Sequence, residues 1–378
     1  RHGLGGGGAG RKAAEGAVAR GVDDAPLVAG QATGEQVDVQ LLQLGLASAE
    51  ELGIAPDRAY TDFAEMARAE AARDDGIDAV AIVTPNHMHA GPAIAFLKAG
   101  IHVICDKPLA ATQSEAEAIA GAVAASGRLF ILTHNYTGYP LIRQARQMIA
   151  EGALGDIRLV HVEYVQDWLT EETHSKQADW RTDPARSGAG GCVGDIGTHA
   201  YNLACFVSGL RPASLSADLD AFVAGRQVDD NVHVMLRFDG GAKGMLWASQ
   251  VAVGNENALR LRIHGSKGGL DWSQENPNEM QFTRFQQPKQ ILTRAGAGAP
   301  FDIVGVVEPM QFDIIRNACR IESLDAAMDS ERNVRIDQCS HQMQHEFHTL
   351  EYLITTKIRQ HPARTPGINV GTEIIPLP

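Results

Sequence analysis

The sequence predicts an α/β protein in two parts. Residues 1–134 form a parallel, helix-alternating domain, and residues 135–378 form an α/β domain with a large, mostly antiparallel open sheet. Three observations predict this. Short apolar runs alternate with helical patterns over the first third of the chain. Beyond about residue 150 the apolar positions switch to a period of two. A glycine-rich run, Gly3 to Gly10, lies where a first strand would turn into a first helix.

The elements follow in order. Asp78 to Thr84 is a nearly continuous apolar run, as expected of a strand buried on both faces. Pro92 to Ala99 reads as a helix stopped by Gly100. His102 to Cys105 is the next strand. Thr112 and Glu115 form a capping box ahead of a helix through Ala116–Ala120, and Leu129 to Thr133 is a further strand. In the second part, Val232, Val234, Leu236 and Phe238 alternate with polar or long side chains, as do Leu259, Leu261 and Ile263. Asp239-Gly-Gly241 is a hairpin loop leading to a strand over Met245 to Val251. Gln311 to Ala318 and Gln342 to Ile358 read as helices, and Pro362, Pro366 and Pro376 mark an irregular tail.

Composition narrows the class. The chain has 378 residues, 44% hydrophobic and 21% charged, which fits a globular protein and excludes a disordered chain, a collagen or a coiled coil. No apolar run approaches the roughly 18 residues of a membrane span, so no membrane partner is expected. A net charge of -13 repels phosphate backbones, so nucleic acid is not expected either. The five cysteines include no CxxC pair, which points to reduced thiols rather than disulfides or zinc. The N-terminus lacks the pattern of a signal peptide, and a cytoplasmic protein is expected.

Several motifs carry chemistry. The glycine run contains G-x-G-x-x-G in two registers, which suits close approach of the backbone to a pyrophosphate. Gly5, Gly6, Gly8 and Gly10 are therefore candidate cofactor contacts. Leu27 to Gly30 reads as the second strand. Gln31, Ala32 and Thr33 follow it, offering neither the acid expected for NAD nor the Arg expected for NADP, so the choice stays open. Pro85, Asn86 and His87 follow a strand at the edge where ligands of open parallel sheets bind. The His87/His89 pair has no third ligand nearby, and no metal is expected. Asp106-Lys107-Pro108 ends the next strand at the same edge, either as a surface turn or as a functional pair with Lys107 oriented by a cis Pro108. Asp195 and His199 share a helix face if Leu203 and Phe206 continue that helix, an arrangement suited to proton transfer or to simple capping. Trp168, Trp180, Arg181 and Arg186 suit a sugar-like ligand or an oligomer interface. His341, His345 and His348 read as one face of a helix.

Taken together, these residues resemble the family of glucose–fructose oxidoreductases, inositol dehydrogenases and rhizopine-catabolism proteins (Gfo/Idh/MocA). The matching elements are the glycine-rich start, Thr84-Pro-Asn-His87, Cys105-Asp-Lys-Pro108 and Gly194-Asp-Ile-Gly-Thr-His199, with Asp106 where the family usually has Glu. The order and spacing of these motifs cover about residues 50–275. The resemblance implies a Rossmann domain followed by an open antiparallel sheet. It also implies oxidation or reduction of a secondary alcohol on a sugar or inositol-like polyol, with NAD or NADP, and a homodimer or homotetramer built on that sheet. By motif position Lys107, Asp195 and His199 are the catalytic group. His199 accepts the hydroxyl proton, Lys107 stabilises the oxygen, and Asp195 accepts from a neighbouring hydroxyl. The cofactor set adds Asp106 and Lys107, and the substrate set is Lys107, Tyr136, Trp168, Trp180, Arg181, Asp195, Thr198 and His199. Two other readings are an NAD-dependent glycoside hydrolase with transient redox and a dinucleotide-sensing regulator. The second need not keep the Lys and His. With Asp195 offsetting one of the cations Lys107 and Arg181, a neutral substrate is expected rather than a phosphate or carboxylate.

Overall fold

A computed structural model describes residues 49–51, 54–297 and 375–376. The chain divides into two compact units, Arg1–Ala69 and Glu70–Pro378, and every element below belongs to the second. The glycine run, the Leu27–Gly30 segment, both late helical segments, His341, His345 and His348 and most of the proline tail lie outside the described residues.

Three short strands, β1 (Ala79–Ile82), β2 (His102–Asp106) and β3 (Phe130–Thr133), form a parallel sheet in the order β1-β2-β3. Parallel neighbours need crossovers. Helix α1 (Ala90–Lys98) supplies the first and α2 (Gln113–Ser126) the second. The capping box forms: the Thr112 hydroxyl accepts from the Glu115 amide at 3.3 Å and the Glu115 carboxylate accepts from the Thr112 amide at 3.0 Å. Such a cap stabilises a helix by about 1 kcal/mol. At the other end of α2, Gly127 takes φ 62°, a left-handed conformation that favours glycine.

One expectation is corrected. β1 is not buried on both faces; Ala79 and Ala81 are exposed and Val83 is 44% exposed. Ala79, Ala81 and Val83 share one face, which is left open, while Ile82 on the opposite face is buried. β2 in the centre has Val103 and Cys105 fully buried.

After α3 (Pro140–Ala150) the chain enters a second sheet. Its strands are β4 (Ile157–Val165), β5 (Pro212–Asp220), β6 (Asn231–Phe238), β7 (Lys243–Ser249), β8 (Ala258–Gly265), β9 (Gly268–Ser273), β10 (Glu279–Arg284), β11 (Gln290–Thr293) and β12 (Ile375–Pro376). Their order is β11-β10-β9-β8-β4-β7-β6-β5-β12. Neighbours are antiparallel except β4 and β7, which run parallel. Between β4 and β5 lie α4 (Lys176–Arg181), α5 (Pro184–Ser187) and α6 (Thr198–Ser208). The period of two does what it predicts. Val162, Val234, Leu246 and Leu261 turn to one face and join Leu141 and Ile142 of α3 and Leu203 of α6 in a single core. The other face leaves Leu159, Met235 and Met245 at 41%, 43% and 54% exposure. The core therefore holds α6 against the sheet, which fixes the helix that follows Asp195.

Candidate active site

The Gly194–His199 motif is not one uninterrupted α-helix. Val193–Gly197 forms a π-turn, in which the Thr198 amide bonds to the Val193 carbonyl, before α6 begins at Thr198. The Thr198 hydroxyl donates to the Gly194 carbonyl at 3.0 Å. Such single turns recur at functional sites. Asp229 pins the turn from below: its carboxylate accepts from the Gly191 and Val193 amides, each at 2.8 Å, and from Cys192 Sγ at 3.0 Å. Burial pushes the Asp229 carboxyl up, and these donors oppose that shift. A Cβ on Gly191 would stand 2.0 Å from the Asp229 carbonyl oxygen, so only glycine allows this approach.

The turn presents Asp195 to two cations. Lys107 Nζ donates to the Asp195 carbonyl at 2.6 Å and to Oδ1 at 2.8 Å. Oδ2 accepts from Arg181 Nε at 3.2 Å and from Gln250 Nε2 at 2.9 Å. Burial pushes the Asp195 carboxyl up, but Lys107 and then Arg181 outweigh it and hold the group well below the usual carboxylate range. The carboxylate is thus occupied by protein donors. Three of its roughly four acceptor sites are taken by Lys107, Arg181 and Gln250, so it orients Lys107 and keeps about one acceptor site on Oδ1. An ammonium has three N–H bonds; two face Asp195, leaving one for another oxygen. Arg181 also bonds Gln177 and lies over the Trp180 ring, 4.2 Å from its centroid.

Lys107 is carried on a braced strand end. The Lys107–Pro108 peptide bond is cis. The fully buried His89 ring sits between the Pro108 carbonyl, 2.7 Å from Nδ1, and the Thr84 carbonyl, 2.8 Å from Nε2; burial lowers its pKa, and the neutral ring donates to one of the two. Asp106 Oδ1 accepts from the Thr133 hydroxyl at 2.6 Å. Asn86 Nδ2 donates to the Ser187 carbonyl at 2.8 Å, and His87 Nδ1 lies 3.3 Å from the Arg186 carbonyl. The side chains of Asn86 and His87 thus face α5, while Pro85 opens their one-turn helix.

His199 is 8% exposed, and its Nδ1 is buried without a hydrogen-bond partner among the described residues. The Tyr136 ring lies edge-on at 4.8 Å between centroids, His134 at 5.8 Å and Tyr164 at 6.1 Å. Burial, then the Lys107 charge, holds the His199 pKa well below 6.5. The same two causes take His134 to about 3. A neutral imidazole in this position can accept a proton at neutral pH.

A hydrogen-bonded chain leads away from this cluster. Tyr136 and Tyr164 share a short hydroxyl–hydroxyl bond. Tyr164 donates to Asn257 Oδ1 at 2.8 Å, Gln166 Nε2 donates to the same oxygen at 2.7 Å, and Trp168 Nε1 donates to Gln166 Oε1 at 3.0 Å.

Of the residues singled out from sequence, Lys107, Asp195, Arg181, His199 and Tyr136 form one connected cluster. Trp180 joins through Arg181 and Trp168 through the chain of hydrogen bonds. Gly5, Gly6, Gly8 and Gly10 lie outside the described residues. Sequence reasoning missed His134, Tyr164, Gln166, Asp229, Gln250 and Asn257. Tyr164, Gln166 and Trp168 recur every second residue, so an extended chain puts them on one side, a signal that was available. Nothing local marks Asp229, Gln250 or Asn257.

These residues fit a nicotinamide dinucleotide on two observations. Adjacent parallel strands end together at Ile82 and Asp106, the edge where such ligands bind. An unpartnered buried imidazole nitrogen lies beside the lysine that ends one of them.

Comparisons with known proteins agree. Residues 5–146 match the model of the oxidoreductase family with an NAD-binding Rossmann fold, and residues 142–271 match the GFO/IDH/MocA C-terminal domain. A crystal structure of an oxidoreductase from Sinorhizobium meliloti is 51% identical, with a TM-score of 0.68, covering 77% of this chain and 79% of that one. An inositol dehydrogenase homolog from Azotobacter vinelandii, complexed with NAD+, is 33% identical with a TM-score of 0.69, covering 75% and 74%. Levoglucosan dehydrogenase from Pseudarthrobacter phenanthrenivorans is 35% identical over 230 residues, 55% of this chain and 58% of the relative. The matches span about six tenths of the length of such curated relatives.

Proposed function

Because the chain belongs to the GFO/IDH/MocA family of oxidoreductases, with its NAD-binding Rossmann fold, we propose that it transfers a hydride between a secondary alcohol of a neutral sugar or cyclic polyol and NAD or NADP. The observation that carries this is the grouping of Lys107, Asp195 and His199, a cation and a neutral base held beside each other on two separate elements. The nicotinamide, when bound, supplies the hydride acceptor. The chain does the rest. His199 takes the hydroxyl proton, the remaining Lys107 N–H bonds the same oxygen as its negative charge develops, and Asp195 holds Lys107 in line. Pro85 and Asp106, at the ends of the segments that follow β1 and close β2, would hold the dinucleotide, with Asn86 and His87 shaping that edge through α5.

A neutral substrate is supported by where the positive charge goes. Lys107 and Arg181 both face Asp195, Arg146 lies over Phe206, and Arg186 pairs with Asp183. A phosphate would need a bidentate clamp. Tyr136, Trp168, Trp180 and Thr198 complete the proposed substrate set. A cytoplasmic setting is supported by Cys105, Cys192 and Cys205 being buried, free thiols. No helix among the described residues is long and apolar enough to cross a membrane.

The test is release of NADH or NADPH with a panel of inositols, levoglucosan and aldoses, each aldose paired with its 6-phosphate. Reduced cofactor with neutral members supports the reading. Preference for the phosphates overturns the pocket assignment. Cleavage of a glycoside without net reduced cofactor points to the hydrolase reading instead.

A further inference from the structure

The hydrogen-bonded chain from Tyr136 to Trp168 has a direction, and one residue sets it. An indole N–H can only donate. Trp168 Nε1 therefore requires an oxygen opposite it, which fixes the Gln166 amide with Oε1 toward Trp168 and Nε2 toward Asn257. Gln166 Nε2 in turn requires Oδ1 of Asn257. That oxygen also faces Tyr164, so the single Tyr164 hydroxyl hydrogen must go to Asn257. The Tyr136–Tyr164 bond then has one possible donor, Tyr136. Reversing any link would put two hydrogens or two lone pairs face to face, and every member is half-buried or buried, where a mismatched group is costly.

We propose that Trp168 sets the polarity of this chain and so makes Tyr136 an acceptor-only contact beside His199, one that selects a hydroxyl-bearing substrate carbon over an ether or deoxy carbon. Trp168 and Gln166 are positioning residues in this scheme, acting through Asn257 and Tyr164. The hydroxyl of Tyr136 has given its hydrogen to Tyr164 and retains only lone pairs. It can take a hydrogen from a substrate hydroxyl, and it cannot donate to an alkoxide, a carbonyl or an ether. That leaves Lys107 as the donor to the reacting oxygen and assigns Tyr136 to recognition of a neighbouring hydroxyl. The substrate part of the inference rests on the reaction proposed above; the direction of the chain does not.

Neutron diffraction from deuterium-exchanged crystals of the full chain reads the direction itself. The expected map has the Tyr136 deuteron aimed at the Tyr164 oxygen and the Tyr164 deuteron at Asn257 Oδ1. A Tyr136 deuteron aimed elsewhere overturns the proposal. Gln166→Glu is the reversing variant. Its carboxylate accepts from Trp168 but has no hydrogen for Asn257, so the Asn257 amide turns, donates to Tyr164, and the Tyr164 deuteron moves to the Tyr136 oxygen. Deuterons left as in the wild type overturn the proposal. If Gln166→Glu does not fold, Trp168→Phe removes the lock without adding charge, and the Tyr136 deuteron should then occupy two positions; full occupancy of the wild-type position counts against it.

Kinetics read the consequence. With myo-inositol, scyllo-inositol, levoglucosan and their monodeoxyfluoro derivatives, one fluorinated position should lower kcat/KM in the wild type by roughly tenfold or more, since fluorine cannot donate. Gln166→Glu should narrow that ratio by roughly tenfold, because the released Tyr136 hydrogen can now meet the fluorine. A ratio identical in both proteins overturns the recognition role. Should none of these compounds be oxidised, the proposed reaction falls, while the deuteron positions still decide the direction of the chain.

Discussion

Lys107 Nζ is attached to Asp195 at two points, the main-chain carbonyl at 2.6 Å and the carboxylate oxygen Oδ1 at 2.8 Å. The first bond depends only on the π-turn, and the second on charge. Each can be lost without the other. The ammonium is therefore located by the backbone and paired in charge by the side chain.

That separation makes Asp195→Asn informative. The amide keeps the shape and the main-chain bond, but it removes the charge that faces Lys107 and Arg181. Uncompensating two largely buried cations should lower stability by about 3 kcal/mol and turnover by roughly a hundredfold. Urea denaturation and steady-state kcat measure the two effects. A variant as active as the wild type would show that the carboxylate does not serve Lys107.

Lys107→Met and His199→Ala should each leave dinucleotide binding intact while lowering kcat by roughly a hundredfold or more. Titration of NADH fluorescence separates binding from chemistry. The pH profile adds a sign. Burial and the Lys107 charge hold the His199 pKa below 6.5, so the base stays neutral on acidification past that value. The acid limb of kcat/KM should lie below pH 6.5. A limb at or above pH 6.5 would mean that the imidazole titrating there is not the depressed one.

Stability should fall as pH drops below 6.5, because the buried histidines resist the proton that the unfolded chain binds, while Asp229, pushed up by burial, opposes part of the loss. His134 has a pKa of about 3 in the folded chain against 6.5 for an ordinary histidine. Between those values the unfolded chain binds a proton that the folded chain does not, so stability is fully present above pH 6.5 and declines as pH falls toward 3. The slope is about 1 kcal/mol per pH unit for each such group. His199 adds the same sign, and Asp195, held low, adds to the loss only below pH 3.8. Denaturant midpoints measured from pH 7.5 to 4.5 should drop, and His134→Phe should make the drop shallower. An unchanged slope in that variant would remove His134 from the account.

The open face of the large sheet should mediate self-association. Met235 and Met245 are directly paired across β6 and β7, giving two adjacent exposed methionines flanked by Ser216 of β5 and His161 of β4. Light scattering should give a mass of two or four chains. Met245→Glu should shift it toward one chain with the fold intact by circular dichroism. A wild-type protein that scatters as one chain at micromolar concentration would rule this face out.

The sequence made legible whatever depends on neighbours along the chain. The capping box at Thr112, the strand ending in Asp106-Lys107 and the alternation of Val232 to Phe238 are all local patterns, and each corresponds to an observed element. Lys107, Asp195 and His199 could be grouped by motif position although residues 107 and 195 are far apart in sequence. The π-turn was not legible, because it arises from Asp229 drawing in the Gly191 and Val193 amides, and that contact crosses 36 to 38 residues. Gln250 and Asn257 were missed for the same reason: each reaches the site from the far end of a strand whose sequence signal concerns only its own faces. The exposed side of β1 differs from expectation because continuous hydrophobicity reports the burial a strand can have, while what packs over each face decides what it gets.

The position of β4 has a consequence for how the chain comes together in time. Val160 pairs with Gly244 on one side and with Ile263 on the other, so the central strand of the large sheet bonds only to chain that follows it by about a quarter of the protein's length. On a ribosome adding about 5–20 residues per second, β4 emerges several seconds or more before either neighbour exists. During that interval its apolar face, with Val160, Val162 and Tyr164, has only α3 and later α6 to cover it. Those two helices therefore act first as a temporary cover and only afterwards as the floor of the finished sheet, and the small parallel sheet, complete by Thr133, is free to form well ahead of both.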